Sequence, residues 1–167
     1  MDKMRLPEAY VNSCLFMRQL RELAEVAGLL GLPADAEQYR TLFENTRRAV
    51  IDTYYDAETG NFFDGTQAAN AFALDVDIAP DERALQNMTA YYESLGYLDT
   101  GFIGTDILFD VLLRNGKVDL AYALMSGERM GSYLWMKRQG ATTLYEYLNG
   151  FGSHCHPMFG APAKYLF

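Results

Sequence analysis

Apolar residues recur at helical spacing along most of the 167-residue chain, and this periodicity favours a helical fold. The first long helix is predicted between Leu6 and Leu30, with one side marked by Leu15, Leu20, Leu23, Val26, Ala27 and Leu30. Gly31 suits the end of this helix, and Pro33 suits the first turn of a second helix that reaches Tyr54. The sequence therefore predicts a helical hairpin at the start of the chain.

Further helical pairs follow a turn-rich stretch over residues 55–65. They are predicted over Thr66 to Leu74 with Thr66 as the cap, Pro80 to Leu95, Asp106 to Arg114, Lys117 to Met125, and Pro157 to Phe167. The one candidate strand is a short piece over Tyr133–Met136. The predicted fold class is all-α, with stacked helical hairpins that form either a solenoid or an α/α toroid. No tetratricopeptide or ankyrin consensus recurs, which disfavours the solenoid.

Charge and hydropathy limit the partners. With 14 Lys and Arg against 22 Asp and Glu, the net charge of -8 would repel a phosphate backbone, so we do not expect nucleic acid as a partner. The chain contains neither a run of roughly 18 apolar residues nor a signal-peptide pattern, so we expect a soluble protein without a membrane partner and leave its location open. Aromatic residues make up 14% of the chain, which suits carbohydrate binding as well as core packing.

The densest functional signal is a glycine-punctuated stretch between Gly140 and Gly160 that contains one carboxylate, Glu146, and two histidines, His154 and His156. Inverting cleavage of a glycosidic bond requires one carboxylic acid that protonates the leaving oxygen and one carboxylate that activates water. Glu146 could serve in either role, although a lone glutamate on a helix surface is the common alternative. A structural zinc site at His154, Cys155 and His156 would need a fourth ligand, and no second cluster is present, so we expect no metal.

Five segments occur in an order that resembles the α-L-rhamnosidases of glycoside hydrolase family 78. They are TQAANAFALD (66–75), LDTGFIGTDILFDVLLRNG (98–116), DLAYALM (119–125), QGATTLYE (139–146) and SHCHPMFG (153–160). The resemblance implies an (α/α)6 toroid, an inverting mechanism without a cofactor, and terminal rhamnose on a glycan or glycoside as the carbohydrate partner. It also implies that Glu146 is the general base and that His156 lines the sugar pocket.

The sequence departs from the family pattern at two points. Tyr145 replaces a tryptophan before the glutamate, and YLNG (147–150) replaces a Trp-Asp-Gly segment, so an aromatic wall remains but the shape of the pocket changes. No segment matches the family's general-acid motif, which belongs to the first half of the toroid. We therefore expect residues 1–167 to be the C-terminal part of the catalytic domain and to be inactive alone.

Several alternatives remain open at this stage. Trp135 and Tyr133 belong either to the sugar pocket or to the core, and Asp99 and Asp106 are more typical of turn and helix-start residues than of a replacement acid. The chain could instead be an inactive carbohydrate-binding or assembly module, or a helical interaction scaffold. An incomplete toroid would leave apolar helix faces uncovered, so a homodimer or a partner chain that supplies the missing half is expected.

Overall fold

The computed structural model describes residues 6–165, and most of them belong to helices. The helices are α1 (Glu8–Leu29), α2 (Pro33–Tyr54), α3 (Ala69–Asp75), α4 (Arg83–Leu95), α5 (Phe102–Arg114), α6 (Val118–Ser126), α7 (Tyr133–Arg138) and a C-terminal 3₁₀ helix (Pro157–Tyr165). Two short antiparallel strands, β1 (Tyr55–Asp56) and β2 (Asn61–Phe62), form a hairpin after α2. The predicted all-α fold class is confirmed.

The first hairpin agrees with the prediction to within two residues, but the predicted packing side of α1 is only partly correct. The helix buries Tyr10, Cys14, Met17, Leu20, Ala24 and Ala27. Leu23, Val26 and Leu30, which the prediction placed on the same side as Leu20, are exposed. The described part of the chain therefore leaves this side of α1 uncovered.

Several predicted elements differ from the observed ones for local reasons. Residues Tyr133–Met136 begin helix α7 and are not a strand, because a short apolar run lacks the period that separates the two structures. Helix α5 starts at Phe102 rather than at Asp106 and therefore includes Gly104. The glycine fits closely there, because an added β-carbon would be 3.3 Å from Cβ of Thr100.

The start of α3 also differs from the prediction. The Thr66 hydroxyl donates to Oδ1 of Asp64, and the residue that precedes α3 is Ala68, which has a left-handed backbone conformation with φ of 66°. The last predicted helix is a 3₁₀ helix, and its final residues, Leu166 and Phe167, lie outside the described residues.

The core is shared by α1, α3, α4, α5 and α6, and α3 contacts both α1 and α5. The Tyr10 hydroxyl on α1 donates to the carbonyl of Ala69 at 2.6 Å, which fixes the start of α3 against α1. At the other end of α3, the buried Asp75 carboxylate lies within 4 Å of the guanidinium groups of Arg18 on α1 and Arg114 on α5. Burial raises the pKa of Asp75, and these arginines oppose that rise.

No helix within residues 6–165 combines the length and the apolar character that crossing a bilayer requires.

Candidate active site

Glu146 lies in the loop between α7 and the 3₁₀ helix, where the chain folds back on itself. Its backbone N–H donates to the carbonyl of Ser153 at 2.7 Å, and the N–H of Ser153 donates to Oε2 of Glu146 at 2.8 Å. Both the backbone and the carboxylate of this half-buried residue are therefore held by Ser153. The other carboxylate oxygen, Oε1, has no hydrogen-bond partner among residues 6–165.

Gly152 allows this close approach. Its φ of +79° is in the left-handed region, and an added β-carbon would lie 2.6 Å from Oε2 of Glu146. Any larger residue would have to displace the carboxylate. The sequence motif located Glu146, but only the folded loop shows why a glycine precedes Ser153.

His156 lies where the same loop meets the start of α5. The backbone N–H of His156 donates to the carbonyl of Leu144 at 2.8 Å, and the centroid of its imidazole ring is 5.9 Å from that of the Phe102 ring. The Nε2 atom is shielded from solvent and has no hydrogen-bond partner in the described part of the chain. An unpaired buried polar atom is costly unless a ligand or water satisfies it.

Tyr145 and Trp135 are close to each other beside Gly150. An added β-carbon at Gly150 would lie 3.6 Å from Cη2 of Trp135 and 3.8 Å from Cε2 of Tyr145. Tyr145 is buried, and one face of its ring stacks on the ring of His154 with a centroid distance of 4.1 Å. The structure thus brings Tyr145 together with Trp135, which the sequence left open between the sugar pocket and the core, and adds the ring of His154.

Asp99 holds two distant segments together. Its carboxylate accepts hydrogen bonds from the hydroxyls of Tyr91 at 2.6 Å and Tyr92 at 2.8 Å, and from the N–H of Gln67 at 3.1 Å. Burial, together with the nearby Asp99 charge, raises the pKa of both tyrosines. These three donors make Asp99 a structural acceptor rather than a free acid, while Asp106 pairs with Lys164 at 2.8 Å.

A cavity of about 600 Å³ opens beside Asp99. Its walls come from the turns that precede α3, α5 and α7 and from Leu148 and Asn149, two and three residues after Glu146. Arg129 and Tyr97, which also line it, were not singled out by sequence reasoning, because they lie in loops without a recognisable motif. Within residues 6–165, no group of three or more His, Cys, Asp or Glu side chains is arranged to hold a metal ion.

A family model described as the bacterial alpha-L-rhamnosidase 6 hairpin glycosidase domain matches residues 3–167. The chain belongs to this family. A curated alpha-L-rhamnosidase from Formosa agariphila is 27% identical over 145 residues, and one from Streptomyces avermitilis is 31% identical over 144 residues. Each alignment covers 84% of this chain but only 16% and 14% of the respective relative, so the chain spans about one sixth of their length.

Solved structures agree with this assignment. The crystal structure of Streptomyces avermitilis alpha-L-rhamnosidase complexed with L-rhamnose matches with a TM-score of 0.85 and 27% identity, over 96% of this chain and 17% of that one. The Aspergillus terreus enzyme, at 19% identity over 90% of this chain and 19% of that one, shows the same fold with a TM-score of 0.83. The stacked hairpins of this chain are therefore part of a six-hairpin toroid, as the resemblance implied.

Proposed function

We propose that this chain carries the general base of an inverting α-L-rhamnosidase-type glycoside hydrolase, and that the base is Glu146. The main support is the geometry of its carboxylate. The N–H of Ser153 fixes Oε2, whereas Oε1 has no partner among the described residues and can accept the proton of an attacking water. A solvent-exposed carboxylate without a function would not require the close contact between Gly152 and Oε2 of Glu146 that only glycine permits.

The sugar-contact role proposed for His156 has separate support. Its Nε2 atom is buried and has no hydrogen-bond partner within residues 6–165, and we propose that a hydroxyl of a bound terminal rhamnose supplies that bond. Tyr145 and Trp135 lie beside the same loop and are proposed to form the apolar wall of the sugar pocket. The reaction needs no cofactor, since two carboxyl groups and water suffice.

The general acid is proposed to come from the part of the toroid that residues 1–167 do not include. Asp99 is one internal candidate, but both of its oxygens accept hydrogen bonds from Tyr91, Tyr92 and Gln67. General acid catalysis contributes about 10²- to 10⁴-fold and requires hydrogen-bond reach of the leaving oxygen. The isolated chain is therefore expected to be inactive.

The test is the release of nitrophenol from 4-nitrophenyl α-L-rhamnoside. We expect no measurable turnover by the isolated chain, with or without Glu146→Gln. In a toroid completed by the remaining hairpins, Glu146→Gln should remove most activity, because an amide cannot accept the proton of the water. Glu128→Gln, at an exposed glutamate paired with Arg138, is the matched control and should retain activity.

Two results would contradict the proposal. Undiminished turnover of a completed toroid with Glu146→Gln would remove Glu146 from the mechanism. Robust turnover by the isolated chain, lost on Glu146→Gln, would show that a second acid lies within these 167 residues.

A carbohydrate-binding or assembly module is the second candidate function, and the apolar side of α1 favours it. Phe16, Leu23, Val26 and Leu30 are all more than 40% exposed. Large exposed apolar surfaces usually mark interfaces, and two-fold dimers are the commonest homo-oligomers. We propose that this side self-associates in the isolated chain, and light scattering should show a dimer that Leu23→Glu weakens. A strictly monomeric mass at micromolar concentration would count against it.

A further inference from the structure

His154 has no part in the proposed mechanism, yet it is held more firmly than an exposed residue usually is. Holding an exposed side chain in one rotamer costs conformational entropy, and little burial offsets that cost. His154 is nevertheless held through its ring, through its Nε2 atom and through its backbone carbonyl. Core packing does not explain these contacts, so we ask what they hold in place.

The imidazole closes a short segment of chain that includes the hydrogen-bond partner of Glu146. Its Nε2 atom lies 3.0 Å from the carbonyl oxygen of Gly150. A carbonyl oxygen can only accept, so Nε2 carries the proton and donates it to this bond. Ser153, whose N–H donates to Oε2 of Glu146, lies between the two bonded residues. The imidazole therefore limits the movement of the segment that holds the carboxylate.

The same ring also contacts the residue that precedes Glu146. It stacks on the ring of Tyr145 with a centroid distance of 4.1 Å and an interplanar angle of 29°. Tyr145 is only 7% exposed, and His154 covers one face of its ring. Aromatic rings at such distances attract each other beyond the area that they bury. One side chain thus links the chain before Glu146 to the chain after it.

The backbone around His154 is fixed by other bonds. The Thr143 hydroxyl donates to the His154 carbonyl, and the N–H of His156 donates to the carbonyl of Leu144. These bonds join the two sides of the loop without the imidazole. Replacement of the His154 side chain should therefore remove its contacts with Gly150 and Tyr145 and leave the loop folded.

We propose that His154 is a positioning residue for Glu146, and that the bond from its Nε2–H to the Gly150 carbonyl keeps the Ser153 N–H directed at Oε2. The proposal rests on the proposed function for the role of Glu146. A general base must point at the water whose proton it accepts, so a carboxylate that moves lowers turnover rather than sugar binding.

Two variants separate the hydrogen bond from the stacked ring. His154→Phe keeps a flat ring beside Tyr145 but removes the donor. His154→Gln removes the ring but keeps an N–H at the same position along the side chain, which can donate to Gly150. Cys155→Ala changes the neighbouring side chain, which is also exposed, and is the matched control.

The first measurement is the turnover of 4-nitrophenyl α-L-rhamnoside by a toroid completed by the remaining hairpins. We expect His154→Phe to lower kcat about tenfold with little change in KM, since it removes one hydrogen bond that orients the base. His154→Gln should recover part of this loss, and Cys155→Ala should match the natural chain. A residue that served stability alone would not give a loss confined to kcat that an amide donor recovers.

The second measurement is hydrogen exchange at the Ser153 N–H in residues 1–167, which does not depend on catalysis. Exchange should be faster in His154→Phe than in His154→Gln or Cys155→Ala, because only the first variant lacks the donor and frees the segment that carries Ser153.

The outcomes distinguish this inference from the proposed function. Equal kcat in His154→Phe and Cys155→Ala, no recovery in His154→Gln, or a rise in KM alone would each overturn the positioning role. If Glu146→Gln left the completed toroid active, the proposed base would be refuted, and the exchange of Ser153 would decide alone. Faster exchange in His154→Phe would then support the hold on Ser153, and equal exchange in all variants would overturn it.

Discussion

Helix α5 and the loop over residues 139–156 both contribute to the candidate site, but different forces fix them in place. Helix α5 buries seven of its 13 residues against neighbouring elements. The loop buries only Tyr145 and Leu148 and relies on backbone hydrogen bonds and left-handed glycines, such as Gly150 and Gly152. Apolar packing therefore determines where the helix lies, whereas chain conformation determines where Glu146 points.

The largest expected effect is a loss of stability when the packing of α5 is broken. Phe109 is 1% exposed, and Phe109→Ala should lower the free energy of unfolding by about 3–5 kcal/mol through lost burial and a cavity. Tyr147→Ala, at a loop residue that is 49% exposed, should lower it by less than about 1 kcal/mol. Urea denaturation measures both changes. Equal losses of stability would show that side-chain packing is as important in the loop as it is in α5.

A smaller and more local effect is expected from Gly152→Ala. The left-handed backbone makes an alanine cost about 1–2 kcal/mol there, and the same cost applies to Gly140→Ala, whose φ is +86°. Only Gly152→Ala also pushes on Oε2 of Glu146, since an added β-carbon at Gly140 has no neighbour within 4 Å.

Hydrogen exchange distinguishes the two glycine variants. The N–H of Ser153, which donates to Glu146, should exchange faster in Gly152→Ala than in Gly140→Ala. Similar exchange in both variants would mean that the contact with Glu146 does not control the loop.

The smallest expected effect is a pH dependence of the free energy of unfolding that arises from Asp75 on helix α3. The folded-state pKa of Asp75 is raised by burial, so protonation of Asp75 favours the folded state. Its contribution to stability is fully present below the unfolded pKa of about 4 and is lost as the pH rises through the raised folded value. Relative to Asp75→Asn, the natural chain should become less stable over this window.

The measurement for Asp75 is the free energy of unfolding of both chains across that pH range. The difference between the chains removes the contributions of other carboxylates, such as Asp81, whose pKa is lowered by Arg83. A difference that does not change with pH, or that changes in the opposite direction, would show that the arginines near Asp75 outweigh its burial.

The sequence predicted the helices well because periodicity and glycine or proline breaks are local signals. Gly31 and Pro33 placed the first hairpin to within two residues. The segment Tyr133–Met136 was misassigned because four apolar residues are compatible with either structure. The exposed side of α1 was missed because periodicity shows that a face is apolar, not that a neighbour covers it.

The candidate site was only partly predictable. Glu146 and His156 were predicted from their motifs, which gave no physical reason for the glycines around them. Arg129 and Tyr97 were not found, because they meet across a cavity that forms only when the turns before α5 and α7 are joined. Such long-range proximity leaves no trace in the spacing of one sequence.

The hydrogen bonds of Asp99 have a consequence for the order in which the protein folds. Its donors, Gln67, Tyr91 and Tyr92, belong to the turn before α3 and to helix α4. The bond to Gln67 spans 32 residues of chain, so it closes a long loop, and loop closure has an entropic cost that must be met before the contact forms. The turn before α5 is therefore expected to become ordered only after α3 and α4 have met, which makes the cavity a late product of folding.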